Sequence, residues 1–411
     1  MSLAAWGVLL AVLVGHFSLH LAAYNRVNAT GLRRRWIKST SKLLLINCLV
    51  LPVVAWFVIG DAIEGATATD LGSNAADSAP VTLTALPLGW RIYGGLCLAA
   101  LPLLGIPWLL WRPLWGLETL ATQRRSEVVR VADQLRQPLA SSLKCRLAAK
   151  LPLNQIFELA IEEIELPVAG LPDRLDGYRI AHLSDLHFTG HVAPQWTAYA
   201  VQRANRWSPD LFALTGDLID RAACIEWLES TVGLARASDG CYFVLGNHDT
   251  RIADPRSIRT AMSRIGWRDV GGQCLRVELR AAAGEECAPS VNSLVLGNER
   301  PWFGAPQSDS VLTQAADFRL LLSHSPDQLA WARRHRIELM LAGHTHGGQG
   351  RLPLAGPLLS PSWHGSRYAS GTFYKTPTTM HVSRGLCGTH LMRINCRPEL
   401  ALLTLRVHPR T

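Results

Sequence analysis

Three long runs of apolar residues occupy the first quarter of the chain. None contains a charged side chain, and each is rich in leucine. Each is close to the roughly 20 residues that a helix needs to cross the hydrocarbon core of a bilayer. Tryptophan near the end of the third run suits the lipid–water interface. The pattern predicts a membrane anchor over residues 1–111, with spans near residues 3–23, 43–60 and 92–111.

A different periodicity follows over residues 112–154. Leucine and valine recur at steps of three and four between Leu117 and Leu147, with basic residues between them. This spacing predicts one apolar stripe on a helix, which Pro138 would kink or divide. The predicted basic amphipathic connector would lie along the membrane surface or pack against the next domain, and the sequence leaves both alternatives open.

From about residue 155 the pattern changes to short apolar runs. Five of these runs are each followed by a turn that contains glycine or histidine, which suggests buried strands. They lie within residues 179–187, 211–220, 241–249, 318–327 and 337–348. Segments 195–207 and 223–236 between them have a helical pattern. The pattern predicts an α/β domain over residues 155–411.

Charge divides the chain in the same way. The sequence is 48% hydrophobic and only 18% charged, with a net charge of +9. Residues 24–42 carry six basic and no acidic side chains, residues 61–91 have a net charge of −3, and residues 112–150 have +5. The positive-inside rule predicts a multi-pass protein of the inner membrane, with its N-terminus outside and everything after residue 111 in the cytoplasm. Basic segments that flank spans favour anionic lipid headgroups and argue against a catalytic domain that binds nucleic acid.

Two other features bear on this placement. The nine cysteines are scattered and form no CxxC pair, which is typical of a reducing compartment. His16 and His20 lie four residues apart on one face of the first span. They could form a buried metal or proton site, but polar packing between helices is the favoured interpretation.

Polar residues with metal-binding chemistry stand at the ends of the five predicted strands. Open α/β sheets place their sites at the carboxyl ends of strands. Carboxylate, amide and imidazole ligands suit divalent ions such as Mn, Fe or Zn. Glycine precedes three of these residues, which allows tight turns and close backbone approach. The candidate metal ligands are Asp185, His187, Asp217, Asn247, His324, His344 and His346.

These residues form a series of short motifs. DxH, GDxxD, GNHD, a lone histidine and GHxH follow one another at Asp185–His187, Gly216–Asp220, Gly246–Asp249, His324 and Gly343–His346. The series resembles the calcineurin-like metallophosphoesterase superfamily. GHTHGGQ, YASGTFY (368–374) and SRGL (383–386) are similar to its membrane-associated bacterial branch, whose members include lipid-linked pyrophosphate hydrolases. The resemblance covers about residues 155–411.

The resemblance implies a fold of two mixed β-sheets packed as a sandwich and flanked by helices. The later strand-like segments are compatible with the second sheet. They are residues 274–279, 291–297, 379–384 and 400–406.

The resemblance also implies roles for the site residues. One ion would be held by Asp185, His187 and His346. A second would be held by Asn247, His324 and His344. Asp217 would bridge the two divalent ions. His248 and Asp249 would be the catalytic residues, with His248 as the imidazole that acts on the substrate and Asp249, like Asp220, orienting the residues around it.

The expected activity is two-metal hydrolysis of a phosphodiester or pyrophosphate bond in a lipid-linked substrate at the cytoplasmic membrane face. One alternative is a membrane-tethered enzyme that acts on a soluble nucleotide or a phosphoprotein. The other is a non-catalytic membrane scaffold. His364, in the loop after GHTH, is a candidate substrate contact. His390 has no assigned role.

Overall fold

The computed structural model forms two compact units, residues 1–115 and residues 116–411. We call them the membrane unit and the catalytic unit. The structure describes residues 3–70, 86–115, 121–280, 290–307, 314–353, 355–388 and 390–407. Asp77 in the predicted acidic loop, and Leu117 and Leu120 in the predicted connector, lie outside the described residues.

The membrane unit is helical. Its helices are α1 (Leu3–Asn28), α2 (Arg34–Asp70), α3 (Leu88–Ala100) and α4 (Ile106–Trp115), with a π-helical turn (Leu101–Gly105) between the last two. Three stretches are long and apolar enough to cross a membrane, at Trp6–Asn28, Arg34–Gly60 and Leu88–Leu110. Most of their described large apolar side chains are exposed, which suits a lipid solvent. The three predicted spans are confirmed as apolar helices.

The histidine pair of the first helix makes polar contacts between helices. His16 Nδ1 lies 2.5 Å from the Tyr93 hydroxyl, and its Nε2 lies 3.0 Å from the Cys48 carbonyl oxygen. His20 Nδ1 lies 3.0 Å from the His16 carbonyl oxygen. These contacts favour the packing interpretation, because the ring nitrogens of His16 are both occupied.

The catalytic unit is a sandwich of two mixed sheets. The first sheet has the order β1-β2-β15-β3-β4-β5-β6, and the second has the order β13-β14-β10-β9-β8-β7. The strands of the first sheet are β1 (Gln123–Arg130), β2 (Glu158–Val168), β3 (Arg179–Leu183), β4 (Leu211–Thr215), β5 (Cys241–Val244), β6 (Trp267–Asp269) and β15 (Glu399–Val407). Those of the second are β7 (Cys274–Leu279), β8 (Val291–Asn298), β9 (Phe318–Ser323), β10 (Leu339–Ala342), β13 (Gly371–Lys375) and β14 (Thr378–Val382). A small ribbon pairs β11 (Arg351–Leu352) with β12 (Gly356–Pro357).

Short helices connect and flank these strands. They are α5 (Val131–Leu135), α6 (Leu143–Ala149), α7 (Gln195–Arg206), α8 (Trp227–Ser230), α9 (Arg256–Arg264) and α10 (Leu329–Arg334). The predicted helix at 195–207 is confirmed as α7. The prediction for 223–236 is only partly right, because that segment holds α8 and two 3₁₀ turns, at Ala222–Cys224 and Val232–Leu234.

The central strands of each sheet run parallel. β3, β4, β5 and β6 are parallel neighbours in the first sheet, and β8, β9, β10 and β14 are parallel neighbours in the second. All five predicted buried strands are confirmed as β3, β4, β5, β9 and β10. Because parallel strands end at the same edge of a sheet, the loops that follow them are brought together.

The core lies between the sheets. Ile180 and Leu211 of the first sheet belong to one buried cluster with Leu320 and Leu341 of the second. Each such side chain contributes about 1.5–3 kcal/mol on burial. A second cluster packs α7 on the outer face of the first sheet, through residues such as Trp196.

Two predictions about strands and helices are wrong. The connector is not one amphipathic helix, because residues 123–130 form β1 and pair antiparallel with β2. Arginine and valine lie close together near Val128, and this composition suits an edge strand as well as a helix. Pairing with β2 decides which of the two forms. Segment 400–406 does not join the second sheet. It is part of β15, which pairs with β2 and β3 in the first.

Candidate metal centre

The predicted metal ligands converge at the carboxyl ends of five strands. Asp185, Asp217 and Asn247 follow β3, β4 and β5 of the first sheet. His324 and His344 follow β9 and β10 of the second sheet. The site therefore lies where the edges of the two sheets meet. Nothing in the sequence alone brings these two edges together.

One cluster of four donor residues contains Asp185, His187, Asp217 and His346, whose donor atoms lie within 4.8 Å of one another. His346 Nε2 lies 3.6 Å from Asp185 Oδ1 and 3.2 Å from His187 Nε2. All but His346 are fully shielded from solvent, so an ion here would be held mainly by protein groups.

A second cluster contains Asp217, His324 and His344, again within 4.8 Å. His324 Nε2 lies 3.2 Å from His344 Nδ1 and 3.0 Å from Asn247 Oδ1. All seven predicted ligands are thus brought together, in two groups of the composition that the sequence motifs predict.

Asp217 joins the two clusters through one oxygen atom. Its Oδ2 lies 3.4 Å from His187 Nε2 and 3.4 Å from His324 Nε2. Its other oxygen, Oδ1, accepts a hydrogen bond of 2.7 Å from the His248 backbone N–H. The carboxylate is therefore fixed in the orientation that a bridging ligand needs.

The ligand loops are bent into unusual backbone conformations. Five of the ligands have the left-handed φ that non-glycine residues rarely adopt, and each such residue costs on the order of 1 kcal/mol. They are Asp185, His187, Asp217, His344 and His346, with φ between 46° and 70°. Strain concentrated on the ligands indicates that the fold is organised around this site.

Glycine allows the ligand loops to approach one another. A Cβ atom added to Gly246 would lie 2.3 Å from Asp217 Oδ1, and one added to Gly216 would lie 2.6 Å from His324 Nδ1. Gly216 also has a φ of +88°, which favours glycine. The sequence argument for glycine before the ligands holds at both positions.

Hydrogen bonds from the outer ring nitrogens fix the orientation of three ligands. His187 Nδ1 donates to Asp220 Oδ2 at 2.8 Å, and His324 Nδ1 donates to the Thr215 carbonyl at 2.7 Å. His346 Nδ1 donates to the Cys387 carbonyl at 3.2 Å. Each ring then directs its Nε2 atom to the site, the arrangement that metal-binding histidines show.

The facing rings call for a positive charge between them. With one proton each, held on Nδ1, His187 and His346 would face each other with two Nε2 lone pairs at 3.2 Å. Lone pairs repel at this distance. Despite burial, the carboxylates of Asp220 and Asp217 raise the pKa of His187, so a positive charge, either a second proton or a bound ion, is favoured between the rings. Nitrogen ligands bound to one ion at about 2.1 Å lie about 3.0–3.4 Å apart. The residues present therefore fit divalent ions.

Electrostatics support the same conclusion. Burial alone would lower the pKa of the His324 imidazole, but the carboxylates of Asp217 and Asp185 raise it to about 9. Burial would raise the pKa of the Asp217 carboxyl, but His324 and His248 hold it well below its usual range. The Asp217 carboxylate therefore stays ionised, and its charge favours cations in both clusters.

His248 lies beside the first cluster, and its ring is bonded at both nitrogens. Its Nδ1 lies 2.7 Å from Asp220 Oδ1, and its Nε2 lies 2.7 Å from an Arg251 guanidinium nitrogen. Arg251 also pairs with Asp220. Burial lowers the pKa of His248 to about 4, so at neutral pH the ring is uncharged and accepts from Arg251.

Comparison with known proteins agrees with this geometry. The profile of the calcineurin-like phosphoesterases matches residues 178–348. The uncharacterized metallophosphoesterase YkuE of Bacillus subtilis is 30% identical over 242 residues, which cover 57% of this chain and 82% of YkuE. The chain belongs to the calcineurin-like phosphoesterase family. It is a metal-dependent phosphoester hydrolase. This membership argues against the alternative prediction of a non-catalytic membrane scaffold.

Two other relatives extend the comparison. The phosphodiesterase YaeI of Escherichia coli is 27% identical over 252 residues, covering 59% of this chain and 88% of YaeI. A transmembrane protein with a metallophosphoesterase domain from Bos taurus is 27% identical over 286 residues, covering 67% of this chain and 63% of that protein. With its three apolar helices, this metallophosphoesterase is a membrane protein.

Asp249 of the metallophosphoesterase holds loops and does not face the clusters. Its buried carboxylate accepts hydrogen bonds from the backbone N–H groups of Leu218, Ile219 and Gly246, at 2.8–3.0 Å. These bonds tie the loop after Asp217 to the loop before Asn247. We therefore assign Asp249 a positioning role instead of the catalytic one expected from the motif.

Three residues that the sequence motifs did not single out surround the metallophosphoesterase site. Arg251 follows the GNHD motif by two positions, so its place next to His248 could have been suspected. Trp302 packs its ring 4.8 Å from His344 and 5.4 Å from His324, between ring centres. Neither Trp302 nor Arg393 lies in a motif, so no signal in the sequence points to them.

Arg393 is almost fully buried, and carbonyl oxygens accept the hydrogen bonds of its guanidinium group. It donates to the backbone oxygens of His346 and Arg384 at 2.9 and 2.8 Å, and to that of Cys387. The Cys387 oxygen also accepts from the His346 ring. Arg393 therefore holds the backbone on which His346 depends.

The two other histidines named in the sequence analysis lie at different places. His364 is exposed, with its ring packed edge-on at 5.2 Å from that of Tyr368, and its contact with substrate stays a prediction. His390 lies within electrostatic reach of the site. Burial, the Lys144 ammonium and His187 together lower its pKa.

Proposed function

We propose that this metallophosphoesterase hydrolyses a phosphodiester or pyrophosphate bond in a lipid-linked substrate, at the cytoplasmic face of the inner membrane. The observation that carries the proposal is the complete two-cluster centre in a chain with three apolar helices. The named activity of its relative YaeI, a phosphodiesterase, supports the diester alternative.

The proposed metal ligands divide as the clusters do. Asp185, His187 and His346 would hold one ion, and Asn247, His324 and His344 would hold the other. Asp217 would bridge them. When bound, two divalent ions supply water activation and neutralise the charge on phosphate oxygens. Mn, Fe and Zn all suit this donor set, so elemental analysis of the purified protein decides among them.

His248 and Arg251 would act on the phosphoryl group, and Asp220 would orient both. Asp220 holds the His248 ring at Nδ1. His187 and His248 keep the pKa of the Asp220 carboxyl well below its usual range despite burial. An incoming phosphoryl anion would draw the Arg251 guanidinium away from His248 Nε2. The same anion favours the protonated ring, which can then donate a proton to the leaving oxygen.

The side of the membrane is proposed from charge alone. Residues before the second span and after the third are basic, whereas the loop between those spans is acidic. A reporter fused after residue 411 tests this orientation. We expect activity from a cytoplasmic reporter, and a reporter active only on the external side would overturn it.

A substrate panel on the metal-reconstituted full-length protein tests the activity. The panel contains a small soluble diester, a phospholipid diester, a lipid-linked pyrophosphate, a nucleotide and a phosphopeptide. We expect the highest kcat/KM on a lipid-linked substrate in mixed micelles. A higher kcat/KM on every soluble ester would reject the lipid-linked proposal.

One observation favours the soluble-nucleotide alternative. The partly exposed Trp302 ring lies beside two proposed metal ligands, where it could stack on a base. In the panel, Trp302→Leu should raise KM for the nucleotide much more than KM for the lipid if this alternative is right. A small and equal change in KM for both substrates would indicate that the Trp302 ring only packs against its neighbours.

A further inference from the structure

A row of exposed leucines lies on the catalytic unit. On α6 and the turn after it, residues spaced by two to four positions point away from the core, while Cys145 of the same helix is buried. Their exposed fractions, with that of a nearby methionine, lie between 46% and 76%. We call this set the leucine face: Leu143, Leu147, Leu151, Leu153 and Met392.

Basic side chains accompany the leucine face. Lys144, Arg146 and Lys150 are exposed on the same short segment. Residues 134–157 contain no acidic residue at all. Large apolar side chains ringed by lysine and arginine are typical of surfaces that lie in the interface of anionic membranes. They are unusual on a protein surface that faces only water.

Hydrogen bonds attach this segment to the loops of the metal centre at both ends. At the start of α6, Ser142 Oγ lies 2.8 Å from the ring of His191, four residues after His187. After α6, Asn154 bonds to the Leu391 carbonyl and to the Arg393 N–H, at 2.9 and 2.8 Å. The leucine face therefore lies at the rim of the metal centre.

The structure also divides the predicted apolar stripe. Leu139 is buried in the core of the catalytic unit, whereas Leu143 and Leu147 are more than half exposed. Packing accounts for the first part of the stripe but not for the second. The second part is also the part with the highest density of basic residues.

We infer that the leucine face docks on a bilayer that carries anionic lipids and so holds the metal centre at the lipid surface. Charge complementarity selects this occupant, since a neutral protein groove would not need three basic side chains. The membrane anchor in the same chain keeps such a bilayer close by. The inference goes beyond the proposed function, because it concerns a surface and its test needs no substrate.

The test places an environment-sensitive fluorescent amino acid at position 147 of the full-length protein, in lipid nanodiscs. One set contains phosphatidylcholine only, and the other adds phosphatidylglycerol. Both contain a lipid with a nitroxide quencher on its acyl chain. We expect quenching in the anionic discs. Three basic side chains near such a surface should change the docking equilibrium by about a hundredfold between the two sets.

Two variants complete the design. The same probe at Val128, which is also about half exposed but lies on β1 outside the leucine face, should stay unquenched. Lys144→Gln/Arg146→Gln/Lys150→Gln should abolish the difference between lipids. Unchanged melting temperature and metal content show that these variants fold.

Two outcomes would overturn the inference. Absence of quenching at position 147 in anionic discs would show that the face stays in water. A spectral shift that follows protein concentration in detergent, without lipid quenching, would assign the face to a second copy. Neither outcome bears on whether the metal centre hydrolyses the proposed ester, so the two proposals fail separately.

Discussion

Two groups of buried histidines in the catalytic unit have opposite character. The metal centre holds His187 and His346, with Nε2 atoms 3.2 Å apart. The inter-sheet pair holds His182 of β3 and His381 of β14, with Nδ1 atoms 2.9 Å apart. The distance between facing nitrogens is therefore almost the same in both pairs, and His346 alone among the four keeps some solvent exposure. The difference lies in where the protons are.

In the inter-sheet pair each ring can donate one proton and accept one. Thr215 Oγ lies 2.9 Å from His182 Nε2, and the far nitrogen of His381 points toward Glu399 at 3.9 Å. With one proton on each ring, His182 Nε2 accepts from Thr215, and the facing Nδ1 atoms are matched as donor and acceptor. The far nitrogen of His381 is buried and makes no hydrogen bond among the described residues. The pair needs no ion.

In the metal centre, one proton per ring does not match each facing acceptor with a donor. If each ring carries one proton, His187 and His346 give it to Asp220 and to the Cys387 carbonyl, so two lone pairs meet unless a cation or a second proton lies between them. The ligands also have left-handed backbone, whereas His182 and His381 lie on regular strands. Facing acceptors on strained loops indicate a site that binds cations, and facing rings matched as donor and acceptor on strands indicate a structural one.

The largest expected effect comes from the carboxylate that joins the two clusters. Asp217→Asn should remove both ions and reduce turnover to background, because one oxygen serves both clusters. Asn247→Ala, which removes a terminal ligand of one cluster, should cost less metal. Elemental analysis of both purified variants measures this. Retention of two ions per chain by Asp217→Asn would contradict the bridging role.

The next effect should fall on chemistry without loss of metal. His248→Asn should keep the metal content and lower turnover by roughly 10²–10⁴, the usual range for general acid–base catalysis. Esters with very acidic leaving groups should be affected less, because they need little protonation. Equal loss for all leaving groups would instead indicate that His248 only stabilises charge.

A smaller effect is expected at Arg251, which contacts His248 and Asp220. Arg251→Gln should keep the metals and lower kcat/KM by roughly 10–10², since a hydrogen bond to a charged group contributes about 1.5–3 kcal/mol. Arg256→Gln, on the exposed start of α9, is the matched control. A loss of the same size in the control would remove Arg251 from the site.

The smallest effect should come from the inter-sheet pair, and it should appear in stability. Burial, with Arg124 and Arg384, lowers the pKa of His381 from 6.5 to about 3. Below about pH 6.5 the unfolded chain therefore binds a proton at His381 that the folded chain does not bind. The free energy of unfolding then falls as pH falls, by up to about 1.4 kcal/mol per pH unit.

His381→Gln removes this titration. Between pH 7 and pH 5 the melting temperature of the variant should therefore fall less than that of the native protein, with metal content unchanged. The difference corresponds to about 2 kcal/mol at pH 5. Parallel pH dependence of the two proteins, or loss of metal from the variant, would break the distinction between the two histidine groups.

Much of the site could be predicted because its residues are tied to local patterns. Asp185, Asp217 and His344 each follow a run of apolar residues that forms a strand from its own composition. Motif order then assigned partners across the chain. Arg251 and Arg393 were missed, because their roles depend on which carboxylates and carbonyl groups the fold places around them. Asp249 was assigned to chemistry because its motif does not reveal that three backbone N–H groups occupy it.

The sequence by itself determined three apolar helices, five buried strands and seven ligand-type residues at their ends, since hydrophobic period and residue chemistry are local properties. Only the tertiary structure decided that residues 123–130 are a strand, that β15 joins the first sheet, and that Leu143 and Leu147 face outward while Leu139 is buried. Strand pairing and burial are choices among partners far apart in the chain. Their energies depend on all the surfaces that the fold brings together, which no single segment encodes.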